Sequence, residues 1–219
     1  MKKKFLIAVF LLLLLSTYKF QTNFSLIPNL SIKKIIIENN YVVNDKDIKN
    51  NLAFLYDTNL FLLKTKNIKT KLSEIDFIES YEIKKIYPNK IRIRVFEKKP
   101  VAVLQHKKNK FFFTSNGGTA NFLDLKEFQN LPVVFGDKKS FEIFYKNLIS
   151  INFPINEIKN FYLFESKRWD IVTIKNQTIK LPINDYDKSL LNYLNLKDQA
   201  NFEKFKTFDY RIKDQLILK

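Results

Sequence analysis

The chain has 219 residues, 46% of them hydrophobic, with 38 basic against 22 acidic residues and a formal charge of +16. That length suits one or two modest domains and the apolar share excludes general disorder, while the absence of cysteine excludes disulfides, thiolate metal sites and cysteine nucleophiles. The charge invites a nucleic-acid reading, but only four of the basic residues are arginines (Arg92, Arg94, Arg168, Arg211), and the lysines are spread along the whole chain. Arginine is the usual reader of bases and clamp on phosphates, so the composition points away from nucleic acid and leaves anionic lipid or an acidic partner open.

The N-terminus reads MKKK followed by eleven uninterrupted apolar residues, Phe5 to Leu15. A basic start before an apolar run is a secretion or anchoring signal with its lysines in the cytoplasm. Eleven residues fit a signal-peptide core, yet no A-x-A site follows, and Leu14, Leu15 and Tyr18 stand where cleavage needs small side chains. An anchor from Phe5 to Tyr18 spans about 21 Å, short of a hydrocarbon core of ~30 Å. Lys4 and Lys19 can snorkel and Phe20 can extend the apolar face. The expectation adopted is a cytoplasmic tail at 1–4 and a short, uncleaved, single-span anchor at 5–20, with a cleaved signal peptide as the alternative. In both cases the chain beyond about residue 25 lies outside the cytoplasm.

After a polar spacer at Thr22 to Asn29, SIKKIIIENN predicts a strand rich in isoleucine. Asn39-Asn40 supplies a turn, and Asn44 is an N-cap with Asp45 and Asp47 in the first helical turn. Ile48, Leu52 and Leu55 mark one buried helical face, and Ile68, Leu72 and Ile75 mark a second. Asp76 to Ser80 breaks that helix, Tyr81 to Ile86 reads as a strand, and Pro88-Asn89 makes a tight turn. Ile91, Ile93 and Val95 then alternate with Arg92, Arg94 and Phe96, a half-buried antiparallel strand. The order β-α-α-β-β predicts two helices on one face of a three-stranded sheet.

Past Pro100 the chain turns strand-rich. VAVLQ, KFFFT and TANFL are short apolar or alternating runs, and SNGG (Ser115 to Gly118) turns between the last two with two of the three glycines, a turn expected to need positive φ. LPVVFGD precedes a helical stripe of Phe141, Phe144, Tyr145 and Leu148. RWDIVTIKNQTIKLP (Arg168 to Pro182) is a hairpin turning near Asn176-Gln177, and a helix with Asp185 as its N-cap follows from Tyr186 to about Lys197. Arg168 and Trp169 have the chemistry of an interface anchor, although Trp169 at a strand start is better read as core.

The stretch YPNKIRIRVFEKKPVAVLQ resembles the POTRA region of the FtsQ/DivIB family of bacterial cell-division proteins, through Tyr87, Pro88, Asn89, Ile91, Ile93, Val95, Glu97, Lys98, Pro100, Val101 and Ala102. LPVVFG, RWDIVTIKNQTIKLP and Asp209-Tyr210-Arg211 resemble further segments of that family in the same order. The chain departs from the pattern at Asn39-Asn40 and Gln177, where glycine is usual, and at Ile75 to Ile78.

The resemblance implies an α+β fold: an anchor helix, a POTRA domain at 30–99 and a mostly antiparallel β domain with two helices at 100–219. It also implies a non-enzymatic divisome scaffold in the inner membrane at the septum. The C-terminal strand region (Tyr210, Arg211, Gln215, Leu216, Ile217, Leu218) would recruit FtsB paired with FtsL, and the turn around Tyr87 and Pro88 would meet FtsK or other early division proteins. The aromatic contact residues that the family carries beyond the segment matched by Asp209-Tyr210-Arg211 are replaced here by Ile217 and Leu218.

The residues themselves offer little to catalysis. The one histidine, His106, ends a predicted strand beside Lys107 and Lys108, where solvation explains it. No phosphate-binding loop, calcium loop or histidine-rich zinc set is present, so no cofactor is expected. Two other classes stay open: a POTRA-type chaperone or assembly module, and a carboxylate-based cell-wall hydrolase.

Overall fold

The structure, a computed structural model, describes residues 2–17, 30–199 and 201–219. Helix α1 (Lys2–Thr17) carries the apolar run and, at ~1.5 Å per residue, is about 24 Å long. No helix among the described residues is long and apolar enough to cross a membrane. The rest of the expected span at 18–20 and the spacer at 22–29 lie outside the described residues.

The first folded unit contains β1 (Lys34–Glu38), α2 (Asp45–Asn51), α3 (Lys66–Ser73), β2 (Ile78–Ile86) and β3 (Lys90–Glu97). Asn39 takes φ 66°, the left-handed conformation an asparagine tolerates in place of glycine. The Asn44 side chain accepts from the Lys46 amide at 2.8 Å, capping α2. Ile48 and Leu52, Leu55 in a short 3-10 turn, and Ile68 and Leu72 on α3 are fully buried against Ile35, Ile91, Ile93 and Val95. The sheet order is β1-β3-β2, so β3 is central. It runs antiparallel to β2, as its alternation predicts, but parallel to β1, a pairing that alternation does not encode. Strand β2 begins at Ile78, ahead of the predicted Tyr81, because a bulge between Ile78 and Ser80 lets the chain pair with Glu97 and Phe96.

The second unit is built on β4 (Pro100–His106), β5 (Asn109–Thr114), β6 (Thr119–Asn121), β7 (Val133–Phe135), α4 (Lys138–Ser150), β8 (Ile158–Leu163), β9 (Trp169–Thr173), β10 (Thr178–Lys180), α5 (Tyr186–Leu196), β11 (Thr207–Asp209) and β12 (Ile217–Leu218). Its nine strands form one sheet in the order β12-β11-β10-β9-β8-β7-β4-β5-β6. The pairs β4–β7, β7–β8 and β10–β11 are parallel and the others antiparallel. Helices α4 and α5 bury Phe141, Phe144, Leu148, Leu190 and Tyr193 in the core with Phe113, Phe161, Ile171 and Phe208. Trp169 belongs to that core, stacked on Phe144 with ring centroids 4.8 Å apart.

Local chemistry departs from expectation at three points. Of the two turn glycines only Gly117 has positive φ (82°). Asp185 precedes α5 with φ 55° and makes no side-chain cap, because an extended residue is what aims a carboxylate at the first-turn amides. Gln177, where glycine was expected by resemblance, is buried: its amide donates to the Phe205 carbonyl (3.2 Å) and its carbonyl accepts from the Tyr193 hydroxyl (3.0 Å). At Gly136 an added Cβ would stand 2.9 Å from Leu163 Cβ and 3.1 Å from the Trp169 ring, so close packing demands glycine there.

The hand-over between the sheets takes two residues, and both are bonded. The Lys98 amide donates to the Phe77 carbonyl (2.9 Å), and the Lys99 carbonyl accepts from Ser115 (2.9 Å). The Lys98 ammonium reaches Asp76 (3.3 Å) and the Thr119 carbonyl (2.9 Å), while Asp76 also accepts from the Asn121 amide (2.5 Å). Phe77, from the first unit, is buried with Val103, Phe112 and Ala120 of the second, its ring edge-on to Phe112 at 6.1 Å. Strands β4 and β5 are therefore covered on both faces, with Ala102, Leu104 and Phe113 under the helices and Val103 and Phe112 under Phe77. That explains why VAVLQ and KFFFT read as continuous apolar runs.

Glu97 is the fixed point of this joint. Its carboxylate accepts from the amides of Tyr41 (3.0 Å), Val42 (2.9 Å) and Val43 (2.8 Å), and Asn39 donates to the Val95 carbonyl (2.8 Å), hanging the turn after β1 on the end of β3. Glu97→Ala strands these amides and is expected to lower unfolding stability by about 1–3 kcal/mol in a urea titration. Glu97→Gln keeps one acceptor oxygen and loses less; equal stability of Glu97→Ala and the parent chain would refute the role.

Candidate partner-binding site

Strand β12 is one end of the nine-stranded sheet. The Thr207 and Lys219 backbones exchange both hydrogen bonds (2.9 and 3.1 Å), and the register pairs Phe208 with Leu218 and Asp209 with Ile217. In an antiparallel ladder such exchanging pairs alternate with non-bonded ones, so the Leu218 N–H and C=O turn away from β11 toward the open edge. Leu216 and Leu218 pack their side chains on the core, while Ile217 is exposed on the other face. The result is a short edge with the backbone polar groups of Leu218 outward and its footing secured from within.

Beside this edge the chain returns from β11 through residues 210–216 past the start of α5, enclosing a cleft of about 810 Å³. Arg168, Lys188, Asn192, Tyr210, Arg211 and Leu216 are among its walls. Tyr210 is buried and its hydroxyl donates to Asn192 (3.0 Å), so it supports the wall more than it presents a surface. Burial pushes the Tyr210 hydroxyl pKa well above its ordinary value and that of Tyr193 up to about 12. Both stay protonated donors at any physiological pH.

The two arginines that line the cleft are each paired with a carboxylate. Arg211 makes a two-pronged contact with Asp209 (2.8 and 2.6 Å), and Arg168 donates to Asp170 (3.2 Å) while lying 4.4 Å from the Phe164 ring. The Arg211 hydrogen bonds hold the Asp209 carboxyl below the usual carboxylate range, whereas desolvation raises that of Asp170 against the pull of Arg168.

The signs differ accordingly. Asp209 contributes stability that is present above the ordinary carboxylate pKa of ~3.9 and is lost as pH falls through its lowered value. Asp170 contributes in the opposite sense, stability declining as pH rises from ~3.9 through its raised value. Arg211→Gln is expected to destabilise the chain most at neutral pH and to converge with the parent at the acid end of a pH series of urea midpoints. A difference that stayed constant with pH would show that the pair does not act through Asp209.

The structure thus gathers Tyr210, Arg211, Gln215 and Leu216 at one cleft and sets Ile217 and Leu218 on the adjoining edge. Tyr87 and Pro88 are not part of it: they form the β2–β3 turn of the other sheet, with Tyr87 exposed and the Tyr87–Pro88 peptide cis. Sequence reasoning missed Lys188 and Asn192, which lie one helical turn apart on α5; their i, i+4 polar spacing was the available signal.

Residues 30–98 match the family model described as "POTRA domain, FtsQ-type". Cell division protein FtsQ of Rickettsia typhi is 24% identical over 191 residues, covering 85% of this chain and 71% of its own length. Its counterpart in Rickettsia felis is 24% identical over 209 residues, covering 93% and 77%. FtsQ of Rhizobium meliloti is 21% identical over 170 residues, covering 77% and 55%. A solved structure, the major extracytoplasmic domain of the trans isomer of the cell division protein DivIB from Geobacillus stearothermophilus, aligns over 48% of this chain and 96% of its own at 11% identity and a TM-score of 0.34. Residues 30–98 are thus similar to the FtsQ-type POTRA family, and the chain is similar over most of its length to cell division proteins FtsQ.

Proposed function

We propose that this protein is a non-enzymatic scaffold of the bacterial division machinery, held in the inner membrane by α1 and acting at the septum through strand addition at β12. The observation that carries the reading is the open edge at Leu218 beside the Arg168–Arg211 cleft, in a chain whose relatives are named cell division proteins. An incoming extended segment of FtsB, itself paired with FtsL, would hydrogen-bond to the outward backbone of β12 and set side chains into the cleft. The β2–β3 turn at Tyr87 and Pro88 is offered to FtsK or other early division proteins.

The anchor reading is supported by the uninterrupted apolar run of α1 from Phe5 to Leu15, whose side chains are exposed from Phe5 through Leu13. Tethering to a surface raises effective concentration, so contacts of modest strength suffice. The two outer units, about 30–99 and 100–219, would then be displayed on the far side of the membrane at an angle fixed by the Glu97–Lys98 joint. The test is recovery of FtsB with the full chain and with a chain lacking Gln215 to Lys219. Loss of capture with the fold retained is expected; unchanged capture would refute strand addition.

A further inference from the structure

The geometry points to a second membrane contact, in which the connection between α2 and α3 docks on the surface of an anionic lipid bilayer. This rests on α1 lying in the bilayer as proposed above. Within that connection Leu55 and Leu60 are fully buried plugs, while Phe54, Tyr56, Phe61 and Leu62 are 44%, 41%, 58% and 56% exposed. Four large apolar side chains on one short connection are more than scattered surface hydrophobics require. The connection is tightly held: Lys85 donates to the carbonyls of Phe61 (3.3 Å) and Leu63 (3.0 Å).

Its position names the occupant. The amide of Leu60 donates to the Leu30 carbonyl (2.8 Å), that of Ile32 to Thr58 (3.0 Å) and that of Asp57 to Ile32 (3.2 Å), so the connection is stitched to the segment by which the chain enters the unit. Residue 30 follows the end of α1 at Thr17 by 13 positions, which keeps it within about 45 Å of that helix even if the chain is fully extended. Strands β1 and β3 run parallel away from this entry end, and the Glu97–Phe77 joint to the second unit lies at their far end. The exposed apolar side chains therefore sit at the end nearest the anchor, opposite the partner-binding unit.

The charge around them suits anionic headgroups: Lys33, Lys34, Lys64 and Lys66 are exposed on the entry segment and the connection, against Asp57 alone of the acids in 30–34 and 53–66. Aromatic and leucine side chains bordered by lysines are the composition of a segment that lies in the headgroup layer. Docking there would set the height and tilt of the outer units above the membrane.

The chain has no cysteine, so single nitroxide labels can be placed at will. The full chain would be reconstituted into phosphatidylcholine vesicles and into mixed phosphatidylcholine–phosphatidylglycerol vesicles, labelled at Leu62→Cys, at Leu11→Cys in α1, or at the exposed turn residue Ser166→Cys. Accessibility to oxygen is then compared with that to a water-soluble nickel chelate. The label at 62 is expected to report the interfacial layer in the anionic vesicles, less so in the zwitterionic ones or at high salt, while the label at 166 reports water throughout. Lys64→Ala should lower the ratio of docked to undocked chain about fivefold. A label at 62 as wet as that at 166 in both lipids overturns the docking, as does protection at 62 that needs an added protein rather than anionic lipid. The label at 11 judges the anchor separately: lipid at 11 with water at 62 sinks only the docking, and lipid at 62 with water at 11 sinks only the anchor.

Discussion

Replacing Leu218 by proline is expected to cut the proposed capture of FtsB at least tenfold while leaving the fold intact. The Leu218 N–H points to the open edge, so the substitution removes an outward donor and puts a ring in the path of an incoming strand, without breaking the Thr207–Lys219 exchange that secures β12. One lost hydrogen bond is worth ~0.5–1.5 kcal/mol, about tenfold in affinity at the upper end, and the steric block adds to it. Leu218→Ala keeps the backbone donor and trims only the side chain, so it should bind much better than the proline variant. If both variants capture FtsB as well as the parent, contact runs through another surface. If both lose it equally, the Leu218 side chain and not the strand edge is the contact.

The second large effect concerns the joint. Phe77→Ala empties the centre of the cluster that locks the first unit under β4 and β5, and large-to-small changes at such sites cost roughly 3–5 kcal/mol. The single tryptophan, Trp169, lies in the core of the second unit and reports its unfolding alone, whereas far-ultraviolet circular dichroism reports both units. In the parent chain the two signals should follow one urea transition. In Phe77→Ala they should separate, the first unit melting before Trp169 changes. Coincident transitions in the variant, at an unshifted midpoint, would mean that Phe77 does not couple the units.

Much of this architecture was legible in the residues. The periodicity of Ile48-Leu52-Leu55 and Ile68-Leu72, the Asn44 cap and the alternation of β3 are local properties, set by geometry over a few residues, and the structure keeps them. The stripe on α4 and the place of Trp169 in the core were legible for the same reason. The parallel partner of β3, the bulge that starts β2 early and the double covering of β4 and β5 were not, since each depends on a segment remote in sequence. At the candidate site, the edge position of β12 follows from sheet order, which no local pattern contains. Tyr210 illustrates the limit: its motif singled it out, but only the fold shows its hydroxyl turned inward to Asn192.

The sequence by itself determined the two helices and the central strand of the first unit, the stripe on α4 and the hairpin after Arg168, and that an apolar run precedes a POTRA-like unit. Local sterics, side-chain period and composition suffice for those conclusions. Tertiary structure alone decided that Glu97, visible in the sequence only as one letter of a motif, gathers the amides of Tyr41, Val42 and Val43 into the joint. It also decided that β12 stands at an open edge with the Leu218 backbone N–H and C=O turned outward while its side chain packs on the core. Hydrogen-bond partners more than fifty residues apart, and the order of strands in a sheet, are fixed by how the whole chain packs.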